Sequence, residues 1–130
     1  MVEVRALATD AVIVLDDEIV LLERDHPPFE GCWVLPGGLV ERDETAREAW
    51  IRETKEEVGL TVEIENFVGL YDDPERDERG NVSAAYRCTP VGDESPTPRE
   101  EARRVETFDP TALPQMGFDH ERIVLDASSD

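Results

Sequence analysis

Basic residues are scarce in this chain of 130 residues, and lysine is almost missing. Lys55 is the only lysine, and 13 Lys plus Arg stand against 32 Asp plus Glu, which gives a formal net charge of −19. So acidic a surface repels phosphate backbones and anionic lipid headgroups, and we therefore expect neither nucleic acid nor a membrane as a partner. A small anionic substrate stays compatible with this charge if a metal ion locally reverses the sign of the field.

The same charge predicts a preference for salt. At low ionic strength the acidic side chains repel one another and weaken the compact state. Screening over about 3 Å at 1 M salt removes that repulsion. The composition resembles that of proteins from salt-loving archaea, which implies a salt-rich cytoplasm as the working environment.

Long apolar runs and cysteine motifs are also missing, and the first residues do not resemble a signal peptide. No stretch reaches the about 18 consecutive apolar residues that a transmembrane helix needs. Residues 1–10 contain no basic segment followed by an apolar one, so we predict no signal peptide and a cytoplasmic location. Cys32 and Cys88 belong to no CxxC or Cys/His cluster, which favours two reduced structural thiols.

Short apolar runs between polar turns predict a mixed α/β layout in one domain, residues 1–130. The apolar runs predict strands over residues 4–15, 19–22, 33–35, 61–70, 82–89 and 105–108. Pro36-Gly37-Gly38 predicts a turn. Helices are predicted over residues 45–58 and 118–127. The first should begin at Asp43 or Glu44 as N-cap or first-turn acid and end at Gly59.

The first predicted helix places three glutamates together. Because successive helical residues advance by roughly 100°, Glu53, Glu56 and Glu57 fall within one arc of about 100°. Carboxylates this close repel one another unless a cation neutralises them, and their oxygen atoms suit Mg²⁺ or Mn²⁺. Arg52 is placed to pair with Glu56 and with Glu48, and so to hold one acid in a fixed rotamer. Spacing alone also fits a solvated acidic face, and the neighbouring sequence decides between the two.

The segment from Gly38 to Leu60 resembles the Nudix box. The family pattern is a glycine, five residues, a glutamate, seven residues, Arg-Glu, an apolar residue, any residue, Glu-Glu, any residue, a glycine and an apolar residue. Every glycine and every charged position of the pattern is met. Thr54 is the one departure, where an aliphatic residue is usual and where the threonine methyl group can still pack. The resemblance implies an α/β/α sandwich with a mixed β-sheet, and an enzyme that hydrolyses a pyrophosphate bond.

Carried over position by position, the resemblance implies a metal site. The ligands would be the side chains of Glu53, Glu56 and Glu57 and the backbone carbonyl of Gly38. They would bind Mg²⁺, with Mn²⁺ as an alternative. The absence of a side chain at Gly37 would let a phosphate approach the backbone closely.

The resemblance also implies supporting and catalytic roles. Arg52 would orient a carboxylate, and Glu44 would support the geometry of the loop and helix. The general base stays open, because some family members use a glutamate of the helix and others one from a later loop. The candidates are Glu53 or Glu56 on the helix and Glu100 or Glu101 in the loop.

The sequence after the box resembles the ADP-ribose pyrophosphatase-like group. Pro74 lies 15 positions after Gly59, similar to the proline that marks ADP-ribose hydrolases, and residues 118–123 look like the closing helix of that group. Arg24, Arg76 and Arg79 are the candidates for binding phosphate or ribose. His26 and His120 have no partner motif, and we interpret both as structural.

The leading hypothesis is hydrolysis of ADP-ribose or a related nucleotide sugar to AMP and a sugar phosphate. One alternative is a nucleoside triphosphate or dinucleoside polyphosphate hydrolase that uses the same metal site. Another is a non-catalytic sensor of a nucleotide metabolite. A homodimer is an alternative to a monomer. The number of metal ions and the phosphorus that is attacked are left open by the sequence.

Overall fold

The computed structural model describes residues 1–128, which form seven strands and two helices. In chain order they are β1 (Leu7–Leu15), β2 (Glu18–Arg24), β3 (Trp33–Val34), β4 (Gly37–Leu39), α1 (Ala46–Val58), β5 (Val62–Tyr71), β6 (Val82–Pro90), β7 (Ala102–Phe108) and α2 (His120–Ser128). Every predicted strand and helix is present, with bounds that shift by a few residues, and β4 is additional. No helix in this part of the chain is long and apolar enough to cross a membrane.

Strand β1 lies at the centre of a mixed sheet. The strand order is β3-β2-β1-β6-β5, with β4 paired to β1 and β7 paired to β2. β1 runs parallel to β6 and antiparallel to β2 and β4. The mixed sheet implied by the family resemblance is therefore confirmed.

The two helices cover opposite faces of this sheet. Ala11 and Ile13 of β1 share a core cluster with Trp50 of α1. Val12 lies between them in sequence and belongs to the cluster that contains Val124 of α2. Because successive side chains of a strand point to opposite faces, one helix packs on each side, and the α/β/α sandwich is confirmed. Trp50 is fully buried, and burial of a large side chain stabilises by about 1.5–3 kcal/mol.

Helix α1 begins and ends with standard caps, and its N-cap differs from the prediction. Thr45 is the N-cap: its hydroxyl accepts from the Glu48 backbone N–H at 3.1 Å, and the Glu48 carboxylate accepts from the Thr45 N–H at 2.9 Å. The prediction of Asp43 or Glu44 was wrong because this reciprocal pair starts one residue later. Gly59 has φ 73°, a left-handed conformation that favours glycine, and it ends the helix as predicted.

The segment predicted as a glycine turn forms strand β4 instead. Gly37 pairs with Asp10 and Gly38 with Thr9 across β1. A Cβ atom at Gly37 would overlap the backbone carbonyl oxygen of Thr9. The glycine therefore serves a close approach between two strands, and this approach brings β4 against the N-terminal half of β1 and toward α1.

Candidate active site

A cavity of about 410 Å³ lies between α1, strands β1, β2 and β4, and the loops that precede β6, β7 and α2. This volume falls within the range of about 300–1,000 Å³ that small-molecule sites occupy. Most of the predicted site residues line it, namely Arg24, Gly37, Gly38, Glu53, Glu57, Arg76, Arg79 and Glu101. Arg52 and Glu56 do not line it.

Strand β4 and helix α1 meet at two backbone-to-glutamate contacts. The N–H of Gly37 donates to Glu57 Oε1 at 2.7 Å. A Cβ atom at Gly38 would lie 2.5 Å from Glu53 Oε2, so any side chain there would displace the Glu53 carboxylate. Gly38 therefore leaves room for the carboxylate of Glu53 against the backbone of β4, and the backbone N–H of Gly37 binds the carboxylate of Glu57.

The two carboxylates differ in their charge partners, since Arg52 pairs with Glu53 at 2.6 Å while Glu57 has no such partner among the described residues. Glu57 is only 5% exposed, and among residues 1–128 no cation forms an ion pair with it. Burial raises the pKa of Glu57 well above its usual value, because the hydrogen bond from Gly37 offsets only part of the cost and nearby acids add to it. Burial also raises the pKa of Glu53, although Arg52 opposes that change.

The donor set fits a hard divalent cation. Carboxylate and carbonyl oxygens are the ligands of Mg²⁺ and Mn²⁺, and a cation there would neutralise the charge on the buried Glu57 and the partly buried Glu53. Within the described residues, however, no group of three or more Asp, Glu, His or Cys side chains is already gathered closely enough to hold an ion. The structure brings Glu53 and Glu57 together beside Gly38, whereas Glu56 is 40% exposed and pairs with Arg52.

Arg52 forms hydrogen bonds with carboxylates of α1 and of the loop that precedes it. Its guanidinium donates to Glu44 at 2.6 and 3.1 Å, to Glu53 at 2.6 Å and to Glu56 at 3.2 Å. The hydrogen bonds that Arg52 donates to Glu44 raise the pKa of Arg52 above its ordinary value. The predicted pair with Glu48 is absent, because the Glu48 carboxylate is engaged in the N-cap of α1.

The loop before β7 places Glu101 at the cavity and forms backbone hydrogen bonds with the C-terminal end of α1. The backbone N–H groups of Thr97, Arg99 and Glu100 donate to the carbonyls of residues 58, 57 and 56 at 2.9, 3.0 and 3.3 Å. Glu101 follows with φ 63°, a left-handed conformation that costs a non-glycine residue about 1 kcal/mol or more. Of the two loop candidates for general base, Glu101 lines the cavity and Glu100 does not.

Two of the three cavity arginines are neutralised within the fold. The side chain of Arg76 is 4% exposed and makes a bidentate pair with Asp119, both contacts at 2.8 Å. Arg79 pairs in the same way with Asp77 at 3.0 and 2.9 Å. Bidentate pairs of this kind are strong and directional.

Arg24 differs from the other two because neutral atoms hold it. Its Nε donates to the carbonyl of Pro28 at 2.6 Å, and one terminal nitrogen donates to the carbonyl of Pro27 at 3.3 Å. Its guanidinium lies 5.3 Å from the ring centre of Phe118. Burial and the nearby charge of Arg79 lower the pKa of Arg24. Since no described residue forms an ion pair with Arg24, its positive charge is available to a ligand.

Sequence reasoning missed Asp10, Asn81 and Phe118 as parts of this cavity, and it interpreted His120 only as structural. The Leu35 N–H donates to His120 Nδ1 at 3.0 Å, so this ring does have a structural partner. One signal was present for Asp10, which is the only charged residue within the apolar run of β1. A charged residue that stays buried in a central strand is rare and usually has a partner or a function.

Comparison with known proteins agrees with this geometry. The sequence profile of the NUDIX domain matches residues 4–127. An ADP-ribose pyrophosphatase of Methanocaldococcus jannaschii is 43% identical over 122 residues, which cover 93% of this chain and 72% of that protein.

Two solved structures have the same fold. An ADP-ribose pyrophosphatase from Streptococcus suis superposes with a TM-score of 0.79 at 27% identity, over 98% of this chain and 94% of that one. A bifunctional NMN adenylyltransferase/ADP ribose pyrophosphatase from Francisella tularensis, complexed with AMP and a Mn ion, gives a TM-score of 0.82 at 24% identity. The match covers 95% of this chain but only 41% of that larger protein, and at this identity it shows likeness of fold alone.

Proposed function

This chain belongs to the Nudix hydrolase family, and on that premise we propose that it hydrolyses the pyrophosphate bond of ADP-ribose or a related nucleotide sugar. The products are AMP and a sugar phosphate. The observation that carries the proposal is a pair of carboxylates, the buried Glu57 and the partly buried Glu53, set against Gly37-Gly38 at the wall of the cavity. The 43% identity to an archaeal ADP-ribose pyrophosphatase supports the choice of substrate.

Nudix enzymes use divalent metal ions, and we assign Mg²⁺ to this one, with Mn²⁺ as an alternative. Glu53, Glu57 and the carbonyl of Gly38 would hold the ion, and Glu56 would join them by leaving its 3.2 Å contact with Arg52. When bound, the ion offsets negative charge on the pyrophosphate oxygens and lowers the pKa of a bound water.

The chain's own residues position the reactants. Arg52 fixes the rotamer of Glu53 through its 2.6 Å contact, and Glu44 holds Arg52 in turn. Glu101 is the preferred general base, since it lines the cavity while Glu56 and Glu100 lie outside it; Glu53 is the alternative on the helix. Positioning and electrostatics of this kind supply most of the acceleration in phosphoryl transfer.

The substrate's phosphates would approach the backbone at Gly37 and the guanidinium of Arg24. Arg76 and Arg79 were predicted as equal partners of Arg24. Their bidentate pairs with Asp119 and Asp77 favour a role in shaping the wall instead, with only secondary contact to the substrate.

A substrate panel tests the proposal directly. Purified protein is incubated at high KCl with ADP-ribose, other nucleotide sugars, nucleoside triphosphates and dinucleoside polyphosphates, with Mg²⁺, with Mn²⁺ or with EDTA. We expect Mg²⁺-dependent appearance of AMP and ribose 5-phosphate from ADP-ribose, measured by chromatography, and none with EDTA. Faster hydrolysis of triphosphates or dinucleoside polyphosphates would contradict the substrate. Binding of ADP-ribose without hydrolysis would contradict the enzyme and support a sensor.

The working environment is part of the proposal. A ratio of 32 acidic to 13 basic residues supports a salt-rich cytoplasm, because screening relieves the self-repulsion of the surface. Activity and melting temperature should both rise with KCl, and an optimum at low salt would contradict this assignment. A homodimer stays a prediction, which sedimentation at high salt would test.

A further inference from the structure

Asp10 is a buried carboxylate that the proposed reaction does not use. It lies on the central strand β1, is 7% exposed and lines the cavity beside Gly37. Its Oδ2 atom accepts a hydrogen bond from the hydroxyl of Ser83 and lies 3.4 Å from Nε2 of His120. One terminal nitrogen of Arg76 lies farther off, 3.9 Å from the same oxygen.

His120 fixes which way this carboxylate is turned. The backbone N–H of Leu35 can only donate, and it meets His120 Nδ1 at 3.0 Å. Nδ1 is therefore an acceptor, so the proton of the ring lies on Nε2 and faces Asp10 Oδ2. With Ser83 and His120 both donating to Oδ2, the carboxylate has one orientation, and His120 and Ser83 act as positioning residues.

The second oxygen of Asp10 is left for a ligand. Within residues 1–128 no group donates a hydrogen bond to Oδ1. Oδ1 is not fully enclosed, because Trp50 Nε1 is the only fully buried side-chain polar atom without a partner among the described residues, and Asp10 itself lines the cavity. A cavity-lining oxygen without a donor is costly unless water or a ligand supplies one.

The chemistry of this oxygen selects the kind of group that it binds. Burial raises the pKa of Asp10, but the His120 ring, the Ser83 hydroxyl and Arg76 outweigh burial and hold that pKa below its usual value. An ionised carboxylate accepts hydrogen bonds, donates none and repels phosphate. The groups of a nucleotide sugar that donate are the sugar hydroxyls and the base amino group, and only the hydroxyls lie next to the diphosphate that Glu53 and Glu57 are proposed to hold through the metal.

We propose that Asp10 Oδ1 accepts a hydrogen bond from a ribose hydroxyl of the substrate and so makes the enzyme selective for ribosyl over deoxyribosyl compounds. The inference rests on the proposed function in that the substrate must carry a ribose next to its phosphates. It goes beyond that function in naming a specificity-determining residue outside the Nudix box.

The substitution Asp10→Asn should replace the hydrogen-bond acceptor that faces the cavity with a hydrogen-bond donor. The position of Oδ2 receives two donors, from Ser83 and His120, so an asparagine must place its carbonyl oxygen there. Its NH₂ group then faces the cavity where an acceptor stood. The side chain keeps its shape and its buried hydrogen bonds, loses its charge near Arg76 and His120, and presents a donor instead of an acceptor to the substrate.

Binding of the products, which are not turned over, tests the inference without relying on catalysis. Calorimetry with Mg²⁺ compares AMP with 2′-deoxy-AMP and 3′-deoxy-AMP, and ribose 5-phosphate with 2-deoxyribose 5-phosphate. We expect the wild-type chain to bind the hydroxylated member of at least one pair about tenfold more tightly, as a hydrogen bond to a charged group can provide. Asp10→Asn should reduce that preference to about twofold or less. The Asp126→Asn variant, which removes one exposed charge outside the lining of the cavity, should keep the full preference.

Each other outcome overturns the inference. If the wild-type chain shows no preference in any pair, or binds none of the five compounds, Asp10 does not select ribose. This holds even if Asp10→Asn does not fold. If Asp10→Asn folds and weakens both members of each pair equally, its role is structural. Hydrolysis of ADP-ribose is measured separately, so a failure of the proposed function is distinguished from a failure of this inference.

Discussion

The two sides of the cavity differ in whether their charged side chains have a partner of opposite charge. On the α1 side, Glu53 is partly buried and paired with Arg52, whereas Glu57 is buried against β4 and has no cation partner among the described residues. On the opposite side, Arg76 and Arg79 are buried or half-buried, yet each is matched by its own aspartate in a bidentate pair. The first side carries an uncompensated charge and the second is neutral in itself.

This difference in charge pairing distinguishes residues that stabilise the cavity wall from residues whose charge we expect a ligand to neutralise. An unpaired buried carboxylate destabilises a fold. For a paired arginine, the ion pair offsets the free energy that is lost when the guanidinium is removed from water. A chain that keeps the unpaired arrangement gives up stability at that place, as functional sites commonly do. In so acidic a protein, the uncompensated side is where a divalent cation fits, and Arg24 is the matching exception on the arginine side.

The largest effect should come from neutralising the acidic side. We expect Glu53→Gln and Glu57→Gln each to lower kcat by about 100-fold or more, because each removes a charged oxygen ligand while keeping the shape of the side chain. Glu63→Gln, at an exposed glutamate of β5, is the matched control and should leave kcat unchanged. Near-normal turnover of both site variants with Mg²⁺ would refute the metal site.

Alanine substitutions at the two glycines of β4 should have different effects, one on activity and the other on stability. A Cβ at Gly38 meets the flexible end of Glu53, so Gly38→Ala should displace that carboxylate and lower kcat by about tenfold or more with little change in melting temperature. A Cβ at Gly37 meets the rigid backbone carbonyl of Thr9, so Gly37→Ala should cost about 1–3 kcal/mol of unfolding free energy. Thermal unfolding and steady-state rates on both variants check this, and equal losses of stability would contradict the distinction.

Substitutions of the cavity arginines should differ in how much they raise KM. Arg24→Ala removes the one cavity arginine that is not ion-paired within the described residues, and we expect KM for ADP-ribose to rise about tenfold with a smaller change in kcat. Arg79→Ala should raise KM about threefold or less, since Asp77 already neutralises that guanidinium. Arg122→Ala, at an exposed arginine of α2, is the control. A larger KM effect at Arg79 than at Arg24 would invert the assignment.

The smallest effect is on stability, and its sign is opposite to the effect on activity. Because burial raises the folded-state pKa of Glu57, its favourable contribution is fully present below the unfolded pKa and is lost as pH rises through the folded value. In EDTA, Glu57→Gln should therefore melt about 2–5 °C above the wild-type chain at pH 8, with the difference vanishing toward pH 4. Mg²⁺ should stabilise the wild-type chain more than the variant. A Glu57→Gln variant that melts lower at pH 8 in EDTA would show that Glu57 is not an uncompensated charge.

Most of the secondary structure was predictable because the signals are local. Apolar runs marked the strands, and the helix that carries the glutamates ends at Gly59 as its sequence indicates. Strand β4 was not predictable from Pro36-Gly37-Gly38, since a glycine pair favours a turn unless another strand lies against it. Only the partner strand β1, with Thr9 directly opposite Gly38, makes an extended conformation the better one.

The sequence by itself determined the family, whose enzymes use divalent metals, and the acidic helix, because fixed spacing along one helix sets which side chains share a face. Only the tertiary structure decided which of these groups meet. It turned Glu56 toward Arg52, placed Glu101 rather than Glu100 at the cavity, matched Arg76 and Arg79 with aspartates, and left Asp10 with one oxygen free. The reason is physical: whether a charge is compensated depends on partners distant in the chain, and no local pattern records them.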